Sequence, residues 1–107
     1  MKQAKRQRLE SKGWRIGGTR ELLRLTDEEV AYIELKLALA DRLRAMREKK
    51  GMTQIGLAKL TGSSQSRVAK METGDPSVSL DLLVKSLLAL GATRKQIAGA
   101  MASARAA

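Results

Sequence analysis

Apolar residues recur along this chain at helical spacing, and the stretches are divided by glycine, threonine and serine. They fall at Val30, Ile33, Leu37 and Ala40, with a neighbouring stripe at Leu35, Leu39, Leu43 and Met46. This pattern predicts one long helix buried on a wide face. It opens on Thr26-Asp27-Glu28-Glu29, a capping box in which the Thr hydroxyl accepts an amide and a Glu reaches back, and it stops at Gly51. Thr53 opens a second helix to about Thr61, and Ser64 a third to about Glu72, with Gly62-Ser63 between them. Gly74-Asp75-Pro76 breaks the chain again. Leu80, Leu83, Val84, Leu87 and Leu88 make a further stripe closed by Gly91, and Thr93 caps a last helix through Ile97 and Met101. Nothing alternates like a strand except Trp14-Arg15-Ile16. The expectation is an all-α protein: a basic arm with a short helix at 19–25, a five-helix domain over 26–101, and a fraying tail at 102–107.

Composition supports helices and points to a partner. Leu, Ala, Ile, Val and Met supply nearly all of the 43% apolar share, beside one Trp, one Tyr and no Phe. With 21 basic and 11 acidic residues the formal charge is +10, which favours a polyanion, nucleic acid first. The excess is concentrated early: residues 1–24 hold eight basic and two acidic side chains, whereas 25–50 hold six of each. No apolar run approaches the roughly 18 residues that would span a bilayer, and no apolar block follows Lys2, Lys5, Arg6 and Arg8 as in a signal peptide. Basic charge does not line one face of an amphipathic helix beside large aromatics, so a membrane surface is disfavoured. The expected location is the cytoplasm.

Catalysis is disfavoured by what is missing. The chain has no Cys and no His, so thiol nucleophiles, the usual zinc and haem ligands and the usual base for a Ser nucleophile are absent. Asp27, Glu28 and Glu29 crowd one helix start, where capping and the helix dipole account for them better than a metal does. The expectation is a non-enzyme without metal or cofactor.

The segment Thr53-Gln54-x-x-Leu57-Ala58-x-x-x-Gly62-x-Ser64-x-x-x-Val68-x-x-Met71-Glu72-x-Gly74 reads as two short helices around a glycine turn, with Leu57, Ala58, Val68 and Met71 closing a shared core. It resembles the phage-repressor-like helix-turn-helix of the Xre family, and the resemblance runs from Leu39 to Met101. In that family the second helix of the motif enters the major groove. The resemblance therefore implies that Gln65, Ser66 and Lys70 meet base edges, with Arg67 on a base or a phosphate. Gln54 and Ser64 stand at helix starts, where a side chain and free amides can hold a phosphate oxygen together. Glu72, by resemblance, pairs with Arg47 on the long helix.

Three features depart from the family pattern. The loop after Gly74 begins Asp75-Pro76 instead of with basic residues, leaving Ser77 or Ser79 and their amides for phosphate contact. Gly56 interrupts a short helix whose Ile55 and Leu60 add apolar surface outside the core positions, surface that the N-terminal extension can cover. Leu82 and Leu88, continued by Ile97 and Met101, widen the fourth stripe, which a dimer interface would explain. The arm residues Lys2, Lys5, Arg6, Arg8, Lys12 and Arg15 can track phosphates or a minor groove, and Trp14 is expected to anchor against the long helix. The leading expectation is a homodimeric transcriptional repressor on a pseudo-palindromic operator. The alternative is an antitoxin that neutralises a small toxin protein through the residues before Leu39 and controls its own operon.

Overall fold

The computed structural model describes residues 25–103, so the expected arm, the Trp14 anchor and all but the end of the 19–25 helix lie outside the described residues. Within them the chain forms five helices and no strand: α1 (Asp27–Lys49), α2 (Gln54–Thr61), α3 (Gln65–Thr73), α4 (Leu80–Leu90) and α5 (Arg94–Ser103). The last helix runs two residues past Met101, into the stretch expected to fray.

Local chemistry sets each boundary. At α1 the Thr26 hydroxyl accepts the Glu29 amide at 3.1 Å, while the Glu29 carboxylate accepts the Thr26 amide at the same distance. Thr53, Ser64 and Ser79 cap α2, α3 and α4 by accepting the amides of Gly56, Arg67 and Leu82. Thr93 and Gln96 form a second reciprocal box at α5. The C-terminal stops at Gly62, Gly74 and Gly91 all have left-handed backbone, returning amides to the last carbonyls of α2, α3 and α4.

The long helix is the platform. α1 packs against α3, α4 and α5, while α2 rests on α3 and α4. Leu39 and Leu43 of α1 meet Leu57, Val68, Met71, Leu83 and Leu87 in one core, all fully buried. Each such Leu contributes about 1.5–3 kcal/mol by leaving water. Ser86 is also buried and donates its hydroxyl to the Met71 sulfur at 3.3 Å. Leu82, Ile97 and Met101 are partly buried against this core, and of the residues that widened the fourth stripe only Leu88 stands half exposed. Gly56 has a packing role: a Cβ there would approach the Met52 side chain to 3.0 Å, so the glycine leaves room for Met52 to fold onto α2.

At Gly74 the chain leaving α3 also lies against the platform. Its φ is +69°, and a Cβ would lie 2.6 Å from Cδ2 of the fully buried Leu37. Gly62 has the same φ but open space around it. Gly62→Ala is therefore expected to cost about 1–2 kcal/mol from backbone strain alone. Gly74→Ala adds overpacking of about 1–3 kcal/mol. Urea denaturation of the two variants measures the difference, and equal losses would show that the Leu37 contact yields freely.

Candidate nucleic-acid interface

α2 and α3 are joined by Gly62, Ser63 and Ser64, and the Ser63 amide closes α2 on the Ala58 carbonyl at 2.7 Å. The turn sets the two helices at an angle over Leu57, Ala58, Val68 and Met71, all buried. This is a helix-turn-helix. Its outward side carries Gln65, Ser66, Arg67 and Lys70, all exposed.

The motif is tied to α1 by an ion pair. Arg47 Nε and Nη2 fork onto the two carboxylate oxygens of Glu72, the second contact at 3.0 Å, and Nη1 donates to the Met52 carbonyl at 2.8 Å. The two side chains are 12% and 3% exposed. The hydrogen bonds to Glu72 raise the Arg47 pKa above its ordinary value, outweighing the opposing effect of burial. Glu72 Oε1 also accepts Gln54 Nε2 at 3.1 Å, and Gln54 Oε1 accepts Gln65 Nε2 at 2.8 Å. A continuous relay thus runs from the end of α1 through α3 and α2 to the exposed start of α3.

The expected phosphate ligand Gln54 has its side chain engaged on both ends, by Glu72 and Gln65, while the amides at the start of α2 have no carbonyl behind them within the helix. At α3, Ser64 uses its hydroxyl oxygen to cap Arg67, which leaves the amides of Gln65 and Ser66 directed out of the helix start. Ser64, Ser66, Arg67, Lys70 and Ser77, with the buried Val78, line one open notch of about 330 Å³. No carboxylate lines it. Of the seven residues expected to meet DNA, five share this notch, and the other two, Gln54 and Gln65, are joined by their hydrogen bond.

The loop after α3 is organised by Asp75. The Ser77 amide and hydroxyl both donate to Asp75 Oδ1, at 2.9 and 2.6 Å, so a phosphate contact through Ser77 requires these donors to leave or share Asp75. The same bonds, the hydroxyl's first, lower the Asp75 pKa, with Lys70 and Lys36 assisting. Lys36 is a residue that sequence reasoning missed. It is 3% exposed on α1, its ammonium lies 3.5 Å from the Pro76 carbonyl, and burial lowers its pKa against the pull of Asp75. No spacing rule marks it, because its burial depends on where the loop from Gly74 to Pro76 crosses α1.

Comparison with known proteins fits this geometry. Residues 38–100 match the family model described as a helix-turn-helix domain, more than half of the chain, and the chain belongs to that family. A curated protein of Haemophilus influenzae, named an uncharacterized HTH-type transcriptional regulator, is 34% identical over 67 residues, covering 63% of this chain and 68% of that protein. No solved structure matches the chain significantly. No helix among the described residues is long and apolar enough to cross a membrane.

Two measurements probe the site's construction. Glu72→Ala strands Arg47 and should cost about 3–5 kcal/mol in urea denaturation, whereas Arg47→Met combined with Glu72→Met should recover most of that loss. A double variant as unstable as the single one would show that the pair itself, not its imbalance, carries the stability. For Asp75 the folded pKa lies below the unfolded value. Its contribution is therefore present above about pH 4 and lost as pH falls through the lower, folded value. The stability gap between the natural chain and Asp75→Asn should be widest near neutral pH and close in acid. A gap constant down to about pH 2 would show that the ionised form has no special role.

Proposed function

We propose that the protein is a sequence-specific DNA-binding regulator of transcription of the Xre, phage-repressor-like type, acting in the cytoplasm as a repressor. In this reading a homodimer covers a pseudo-palindromic operator whose half-sites lie one helical turn, about 34 Å, apart. The observation that carries it is the relay from Arg47 through Glu72 and Gln54, which holds the Gln65 amide at the exposed start of α3. Membership of the helix-turn-helix family, the name of the Haemophilus influenzae relative and the +10 charge support the same reading.

Gln65, Ser66, Arg67 and Lys70 then read base edges, while Gln54, Ser64, Ser77 and the free amides at the starts of α2 and α3 hold phosphates. Gln suits the donor and acceptor of adenine, and Arg and Lys suit the acceptors of guanine, each good pair giving about 1–3 kcal/mol of discrimination. Leu88, half exposed on α4, is the apolar point around which a dimer contact is built. The second reading, an antitoxin, draws on the part of α1 that precedes the family match, where Tyr32 is 44% exposed and available to a protein partner.

Titration of the protein on the DNA upstream of its own gene, beside a scrambled duplex at several salt concentrations, tests the proposal. The expected preference is about a thousandfold or more. Replacing Gln65 and Lys70 with Ala should abolish it. Equal and steeply salt-dependent binding to both duplexes would reduce the interaction to backbone electrostatics and refute sequence reading at that site.

A further inference from the structure

A second cavity, of about 430 Å³, lies away from the motif, between the last turns of α1, the Gly91 turn and the start of α5. Its α1 wall is one helical stripe: Arg42, then Ala45 and Met46, then Lys49 and Lys50, at successive three- and four-residue steps. Gln96 closes the opposite side. Arg42, Lys49 and Lys50 are exposed, and none of them has an ion-pair partner among the described residues; Glu48, the acid next to Lys49, is held by Arg44 at 3.4 Å. The Lys50 ammonium reaches across to the Gly91 turn, where even a Cβ would lie only 3.7 Å from it.

Helix polarity accounts for part of this charge only. Cations in the last turn of α1 suit the negative end of its dipole, which explains Lys49. Arg42 lies two turns back and gains nothing from it. Arg94 and Lys95, at the adjoining start of α5, oppose the dipole there, and that first turn holds no acid. Arg94 and Lys95 do not line the cavity but add to the positive field beside it, and three exposed cations without acidic partners around one concave site suit an anion. The floor adds a second requirement, because Met46 and Ala45 offer apolar surface at the centre of the stripe, and the volume falls within the range of small-molecule sites. A bare inorganic anion would leave that floor uncovered.

We propose that this cavity binds a phosphorylated small molecule with a flat apolar part, of the nucleoside polyphosphate class. The phosphates engage Arg42, Lys49 and Lys50, and the ring lies on Met46 and Ala45. None of these residues lines the notch on the motif, so the site stands or falls apart from the DNA reading.

The test is calorimetric titration of the full-length chain, without DNA, against ATP, adenosine and inorganic pyrophosphate. One ATP per chain should bind saturably, with adenosine and pyrophosphate each at least about tenfold weaker because each keeps half of the contacts. Arg42→Gln combined with Lys50→Gln replaces exposed side chains only, and an unchanged melting temperature would confirm that this variant folds. It should weaken ATP at least about tenfold, while Lys70→Ala should leave ATP binding within about twofold. Absence of saturable binding, pyrophosphate binding as tightly as ATP, or an equal loss in Lys70→Ala would each overturn the proposal. If ATP fails to saturate and the Arg42 and Lys50 variant instead loses affinity for duplex DNA, the phosphates these cations serve belong to the DNA backbone and the small-molecule site is refuted.

Discussion

The ion pair between Arg47 and Glu72 is the point on which the arrangement of helices turns. Three elements meet there: the last turn of α1, the first residue of α2 and the last turn of α3. An apolar pair of similar volume would hold them together about as well, since much of the Coulomb attraction is cancelled by the cost of removing both charges from water. What an apolar pair lacks is direction. The guanidinium fork meets Glu72 in one plane, and its remaining donor fastens the chain leaving α1 at the Met52 carbonyl. The carboxylate has an oxygen left for Gln54, so a bond made in the interior fixes the orientation of a side chain on the surface.

Around that joint the packing is simple. α1 supplies a continuous apolar face, and the shorter helices are laid against it with turns just long enough to reverse the chain. Close approach depends on a single position, Gly74, where the backbone of the α3 terminus lies on Leu37. The same loop carries Asp75, whose carboxylate gathers the Ser77 donors and sits near the ammonium of Lys36. The end of α3 is thus held to the platform by a steric contact and an electrostatic one within a few residues. Its exposed start is held by the Gln54 relay.

Much of this was legible in the sequence because the signals are local. Thr26, Thr53, Ser64 and Thr93 announce helix starts and Gly51, Gly62, Gly74 and Gly91 announce ends, and a capping hydroxyl or a glycine with positive φ needs nothing from the rest of the chain. The stripe of Leu37, Leu39 and Leu43 was legible for the same reason, because periodicity is a property of one helix. The pairing of Arg47 with Glu72 came from family resemblance rather than spacing. What stayed hidden depends on the angle between elements. Glu34 and Lys36 look like solvated positions on α1 yet are buried. Gln54 is legible as the residue that opens a helix, but its bonds to Glu72 and Gln65 are not, because only the crossing of α2 and α3 brings those partners near. Leu82, Ile97 and Met101 suggested an oligomeric face, and the fold uses most of their surface internally.

The hydrogen bond from Gln65 to Gln54 has a consequence for how a ligand is met. An exposed glutamine normally samples many rotamers and can rotate its amide to exchange donor for acceptor, so it tolerates either pattern opposite it and loses rotamer freedom when it settles. Here one hydrogen of the Gln65 amide is already committed, which leaves a fixed order of one donor and one acceptor facing outward. The ordering entropy has been lost in folding, before any ligand arrives. Turning the amide over to suit the opposite pattern would break the bond to Gln54 and present that side chain with an acceptor facing an acceptor. The interior of the protein thereby acts as a reference frame for its surface, and the pattern that Gln65 presents is set in the resting state.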